Sequence, residues 1–282
     1  MNGIGASRFR GLPGQGWLGL MLIAVFWPLN WTLPGMRTAY LFFPLWLGYI
    51  LTVDAWVFNR TGDSLWTRSR RNFVLLFVAS SPIWWIFEWI NSRTGNWEYV
   101  GSAHFTLFQY YLLSTISFST VMPAVFETAE LIRSFEWVSK FEAAPRVNAT
   151  RRLNFALLCG GLCALALTLK WPKYFYPFVW VAIVLILEPL NSWFGRDTFL
   201  KWLNRGDWRP IISLSTGALM CGFFWEMWNF YSSPKWVYHT PGAQFLHLFE
   251  MPLLGYIGYI PFALELFALK SLLLPRSISI KL

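Results

Sequence analysis

Residues 87–99 read FEWINSRTGNWEY, and residues 225–238 read WEMWNFYSSPKWVY. Each stretch carries Glu-x-x-Asn, a short spacer and then Trp-x-Tyr. The residues are Glu88, Asn91, Trp97 and Tyr99 in the first, and Glu226, Asn229, Trp236 and Tyr238 in the second. Further along, PAVFE at 123–127 matches PFALE at 261–265. The offset from Glu88 to Glu226 is 138 residues, and it is the same from Glu127 to Glu265. A looser pair, Asp54 and Glu188, lies 134 residues apart, each acid late in an apolar run. Self-similarity at a fixed period is the mark of duplicated architecture. It divides the chain into halves at about 1–140 and 141–282.

The surroundings of these motifs decide the class. Of 282 residues, 56% are hydrophobic and 13% charged, where a soluble domain carries about 25% charged residues. That leaves too little polar sequence to cover a soluble globule, and it excludes a disordered chain or a disulfide scaffold. Cys159, Cys163 and Cys221 all lie in apolar runs and read as small buried hydrophobes.

A helix needs about 20 apolar residues to cross a membrane. Eight stretches qualify, near 15–34, 38–58, 72–92, 104–132, 152–170, 174–195, 210–231 and 243–274. The first follows Arg8 and Arg10 and lacks a small-x-small cleavage site, so it reads as an uncleaved span. The long fourth and eighth stretches contain Pro123 and Pro261, where a bend or break is predicted.

The net charge is +9. With these spans, 18 basic residues fall on one side of the membrane and 5 on the other. This is a positive-inside distribution, and it predicts both termini in the cytoplasm of a multi-pass protein, with a prokaryotic cytoplasmic membrane as the setting. The expected fold is an all-α polytopic membrane protein. Its eight transmembrane helices form two same-orientation four-helix repeats, related by an axis along the membrane normal. No RNP, zinc-knuckle or helix-turn-helix pattern accompanies the basic residues, so the lipid bilayer, not nucleic acid, is the expected partner.

Eight acids fall inside the expected spans: Asp54, Glu88, Glu127, Glu130, Glu188, Glu226, Glu250 and Glu265. A carboxylate in hydrocarbon must be protonated, paired or hydrated. The bland reading puts some at helix ends or beside arginines, as Glu88 with Arg93 or Glu127 with Arg133. The functional reading is an interior polar site, with Glu88, Glu127, Glu226 and Glu265 as candidate catalytic acids. Asn91 and Asn229 share a helix face with Glu88 and Glu226 and are expected to donate to them. Trp97, Tyr99, Trp236 and Tyr238 read either as an interfacial aromatic belt or as a wall that binds substrate and stabilises a cation. His247 and Glu250, spaced i, i+3 on the eighth predicted helix, join the substrate-binding set. Three histidines in all do not suggest a metal centre, and no Walker, Gly-x-Gly-x-x-Gly, Gly-x-Ser-x-Gly or His-Glu-x-x-His pattern occurs. Neither a metal nor an organic cofactor is expected.

The order of an acid, then Trp-x-Tyr, then a proline followed by glutamate in the next helix resembles the membrane lycopene cyclase domain family. Here the acid is Glu88 or Glu226, the second element Trp97–Tyr99 or Trp236–Tyr238, and the last Pro123–Glu127 or Pro261–Glu265. The chain departs from that family in having Glu where an Asp is usual, and a single Glu after Pro-x-x-x where Pro-x-Glu-Glu is usual. The match covers about 45 residues in each half. It implies a carotenoid or other isoprenoid lipid as substrate, a carboxylic acid that protonates an alkene, and cyclase, hydratase or isomerase chemistry without a redox cofactor. Two other readings are compatible with the residues themselves. One is a proton-coupled secondary transporter with Glu265 as coupling carboxylate. The other is a structural or pigment-associated subunit of a membrane complex.

Overall fold

A computed structural model describes residues 11–282; Arg8 and Arg10 lie outside the described residues. The first helix is α1 (Gly14–Thr32). It runs against α2 (Thr38–Thr61) at a distance only glycines permit. A Cβ on Gly19 would meet the Gly48 carbonyl at 2.6 Å. After α2 the chain forms the single turn α3 (Leu65–Arg68), then α4 (Arg70–Thr94). Gly95, at φ 62°, ends α4 and turns the chain into the strand β1 (Trp97–Val100). The expected fourth span is two helices, α5 (Leu107–Phe118) and α6 (Val121–Arg133). Pro123 is the third residue of α6, where its missing N–H costs no helical bond. Ser80 of α4 holds the break from the side: its hydroxyl donates to the Phe118 carbonyl (2.6 Å) and accepts from the Met122 N–H (3.0 Å).

Helix α7 (Arg151–Lys170) precedes the short α8 (Pro172–Phe175) and α9 (Val179–Trp193). Here a Cβ on Gly161 would meet the Ala182 carbonyl at 2.9 Å, so α7 and α9 pack as closely as α1 and α2. Next come α10 (Phe199–Arg205) and α11 (Arg209–Phe230), then β2 (Lys235–Tyr238). A small hairpin of β3 (His247–Leu248) and β4 (Met251–Pro252) and a 3-10 stretch over Leu253–Gly258 lead into α12 (Tyr259–Leu273).

Among the described residues, seven helical segments are long and apolar enough to cross a membrane: Thr38–Thr61, Arg70–Thr94, Leu107–Arg133, Arg151–Lys170, Pro172–Trp193, Arg209–Phe230 and Leu253–Leu273. The chain is thus an all-α protein with the helices of a multi-pass membrane protein. The expected first span is a helix in its expected place, α1, but it is not one of the seven. It carries Gln15, Asn30 and Thr32 among its apolar residues, and Asn30 is buried against the Trp228 carbonyl (3.2 Å). The expected eighth span, 243–274, is shorter than predicted. The Pro241–Gly242 turn and the left-handed Leu246 and Phe249 (φ 51° and 60°) exclude a helix before residue 253. The cysteines also divide: Cys221 is buried, but Cys159 and Cys163 are exposed on the outer face of α7.

Two of the acids within the spans have plain structural work. Asp54 accepts from the Trp66 N–H (3.1 Å) at the start of α3, which Ser64 caps. Glu188 accepts from the Leu200 N–H (2.8 Å) at the start of α10, which Thr198 caps. In both halves a carboxylate satisfies free N–H groups where the chain turns back after its second helix. Glu130 pairs with Arg68, which also contacts Asp63. The backbone N–H of Lys281 reaches Glu130 as well (2.8 Å), which ties the C-terminal tail to the first half.

Candidate functional site

The site is built where the two Trp-x-Tyr motifs meet. Strands β1 and β2 pair antiparallel, with Trp97 opposite Tyr238 and Tyr99 opposite Trp236. The duplicated motifs therefore pair with each other across a local two-fold axis. Each is held by its asparagine. Asn91 donates to the Trp97 carbonyl (2.8 Å) and accepts from the N–H groups of Asn96 (2.9 Å) and Trp97 (3.2 Å). Asn229 donates to the Trp236 carbonyl (2.7 Å) and accepts from its N–H (2.9 Å). This corrects the expectation that these amides serve the neighbouring carboxylates. They clamp the ribbon to the helix ends, and the side chains of the ribbon serve the carboxylates instead.

Glu88 Oε1 accepts from the Tyr99 hydroxyl (2.6 Å), the Trp84 indole (2.9 Å) and the Trp97 indole (3.1 Å). Glu226 Oε1 accepts from the Tyr238 hydroxyl (2.7 Å), the Tyr259 hydroxyl (2.9 Å) and, at the long limit, the Trp236 indole (3.5 Å). Glu226 is fully buried, and its Oε2 has no partner. Glu88 does not pair with Arg93, whose guanidinium donates to the Leu169 carbonyl (3.1 Å).

All six donors line one cavity of about 580 Å³. It lies on the side of the helices away from the arginine clusters, between α4, α5, α9, α11, α12 and the ribbon. Its wall is largely apolar and rich in aromatic residues. Trp97 stacks on Trp180 (centroids 6.0 Å apart), Trp225 stacks on Tyr259 (6.0 Å), and Phe262 stands edge-on to Trp84 (5.8 Å). A concave apolar site with a few converging polar groups is the usual form of a small-molecule pocket. The carboxylates themselves stand one layer back, and the tyrosine hydroxyls and indole N–H groups lie between them and the space.

The other candidates are elsewhere. Glu127 and Glu265 are fully buried, neither lines the cavity, and none of their carboxylate oxygens has a partner. Glu127 faces Asp54 across the α2–α6 contact rather than Arg133. His247 and Glu250 do not share a helix face, because both belong to the β3–β4 hairpin, His247 in β3 and Glu250 in the turn that follows. The His247 ring meets Gln244 (3.1 Å), and Glu250 pairs with Lys235. Their i, i+3 spacing has meaning only on a helix, and none forms there. Among the described residues no three His, Cys, Asp or Glu side chains converge as a metal site would require.

Sequence reasoning missed Trp84 and Tyr259, which complete the two sets of donors. A signal existed for both. Trp84 lies four residues before Glu88, one turn back on the same face. The equivalent position before Glu226 is Gly222, and that vacancy invites a side chain from another helix. No protein-family model, curated protein or solved structure matches this chain.

Proposed function

We infer that the protein is an integral membrane enzyme that protonates an alkene of a carotenoid or other isoprenoid lipid, as a cyclase, hydratase or isomerase does. One observation carries this reading: a single aromatic cavity is walled by the hydrogen-bond donors of two carboxyl groups, Glu226 fully buried and Glu88 half-buried. In the same reading the chain forms two same-orientation repeats of four spans, with α1 as the first of eight and both termini in the cytoplasm. The matched glycine contacts of α1–α2 and α7–α9 support this arrangement, as do the matched caps by Asp54 and Glu188.

The two carboxyl groups suit different roles. Two of the three donors to Glu88 are indoles, which donate and never accept. They hold Glu88 as an acceptor. The close partners of Glu226 are hydroxyls, which donate or accept, so a proton can pass from the Glu226 carboxyl through Tyr238 or Tyr259 to the cavity. Addition of that proton to one alkene carbon leaves a tertiary cation at the other. A neighbouring double bond closes on the cation, and an adjacent C–H then gives its proton through Tyr99 to Glu88; alternatively, water adds. In the ring-forming case no atom is gained and no electron is lost. The aromatic faces stabilise the cation, and the apolar wall limits access of water.

The test has two arms. Lipid extracted with the purified protein should include a polyisoprenoid, by mass spectrometry. Proteoliposomes given lycopene, a linear C40 polyene, in deuterated water should form an isomer or hydrate carrying deuterium. Glu226→Gln should slow that product about 100-fold, the usual weight of a general acid. A purified protein that carries only phospholipid, and turns over no polyene, would sink the proposal.

A further inference from the structure

A second site lies at the opposite, arginine-rich face, where α7 begins beside the end of α9. Thr150 caps α7 by accepting from the Leu153 N–H (3.1 Å). Arg151 and Arg152 in the first turn are exposed, and neither pairs with a carboxylate among the described residues. A helix start already favours an anion, and two arginines there add to that field. A groove of about 530 Å³ opens at this point, lined by Arg151, Asn154, Phe155 and Trp193.

The groove has both an apolar and a polar side. Phe155 and Trp193 are exposed and pack together, with centroids 5.3 Å apart, and the Arg151 guanidinium lies 5.6 Å above the Phe155 ring. Below them α7 offers a largely unburied apolar face, including Leu162, which is 50% exposed. Asn154 is only 7% exposed, and its Oδ1 has no partner, although its Nδ2 donates to the Ser192 hydroxyl (3.4 Å). A buried amide oxygen left without a donor is costly, and this one borders the groove.

We propose that this groove binds the headgroup of an anionic glycerophospholipid that carries a free hydroxyl, the chemistry of phosphatidylglycerol. The phosphate sits at the start of α7 against Arg151 and Arg152. The glycerol hydroxyl donates to Asn154 Oδ1. One acyl chain descends along Phe155 and Trp193. Juxtamembrane arginines attract anionic lipid in this way, and the asparagine adds a preference for one headgroup among those of equal charge. The proposal does not depend on the chemistry assigned to the cavity.

Native mass spectrometry of the detergent-solubilised full chain tests it, with phosphatidylglycerol, phosphatidic acid and phosphatidylcholine of the same chains as probes. Phosphatidylglycerol should be retained at least tenfold over phosphatidylcholine, and Arg151→Gln with Arg152→Gln should remove that margin. Both arginines are exposed, so the variant should unfold at the temperature of the parent in lipid-free detergent. Asn154→Ala should abolish only the preference for phosphatidylglycerol over phosphatidic acid. Equal retention of the three lipids, or a margin unchanged in the double variant, would overturn the site. So would displacement of the lipid by an equal concentration of soluble glycerol phosphate, which would show a free anion to be the ligand.

Discussion

Glu88 and Glu226 occupy equivalent places in the two halves, and each accepts three hydrogen bonds on one oxygen. The third donor differs. Beside Glu88 it is Trp84, one turn back on the same helix. At the position equivalent to Trp84 the second half has Gly222, and at the position equivalent to Val121 it has Tyr259. The two positions exclude one another: a Cβ on Gly222 would lie 2.4 Å from the Tyr259 ring, so a larger side chain at 222 leaves no room for Tyr259. The constraint is thus on the number of donors to the carboxylate rather than on their origin. One exchange gives Glu88 two partners that only donate and gives Glu226 two hydroxyls that can reverse.

The largest contrast should come from removing each carboxylate. Glu226 is fully buried, so Glu226→Ala leaves the Tyr238 and Tyr259 hydroxyls without their acceptor. It should cost about 3 kcal/mol or more. Glu88 is half-buried, so its removal leaves its donors less completely desolvated, and about half that loss is expected. Thermal unfolding in detergent measures both. Equal losses would mean that the two carboxylates are solvated alike.

A smaller effect tests the exchange itself. Gly222→Ala puts a methyl group into the Tyr259 ring and should cost about 1–3 kcal/mol by overpacking. Tyr259→Val gives the second half the residue that the first has at that place, and in that background Gly222→Ala should cost little. The coupling between the two substitutions should reach about 1 kcal/mol or more. Additive losses would show that Gly222 is needed for the helix packing, not for Tyr259.

How far the sequence led depended on whether a feature was local. Seven of the expected spans, the break near Pro123 and the repeated motifs are written in neighbouring residues, where runs of apolar sequence and local spacing expose them. That Asn91 and Asn229 clamp the ribbon was not legible, because i, i+3 spacing says which side chains share a face and not which backbone curls back to them. The pairing of β1 with β2 joins residues some 140 positions apart, and no local pattern announces it. Glu127 and Glu265 illustrate the remaining limit. The repeat singled them out as strongly as Glu88 and Glu226, but depth along a helix, which decides whether a side chain reaches the cavity, is set by how the helices pack.

The finest comparison is between Tyr99 and Tyr238, which lie on the ribbon outside the spans. Burial, first, and the charge of the neighbouring carboxylate, second, hold both phenols well above the ordinary tyrosine value. A raised value in the folded protein means that the neutral phenol favours folding. That contribution is complete below the unfolded value of about 10 and is lost as pH rises beyond it. In an alkaline titration followed by tyrosinate absorbance, exposed tyrosines should ionise near that value, and these two should lag. The two hydroxyl contacts are nearly equal, at 2.6 and 2.7 Å. Glu88→Gln should therefore bring Tyr99 down about as far as Glu226→Gln brings down Tyr238, with burial keeping both above exposed tyrosines. A markedly smaller release of Tyr238 would mean that Tyr259 shields it from Glu226, so that the donor gained with Gly222 alters the field at the ribbon as well as the count.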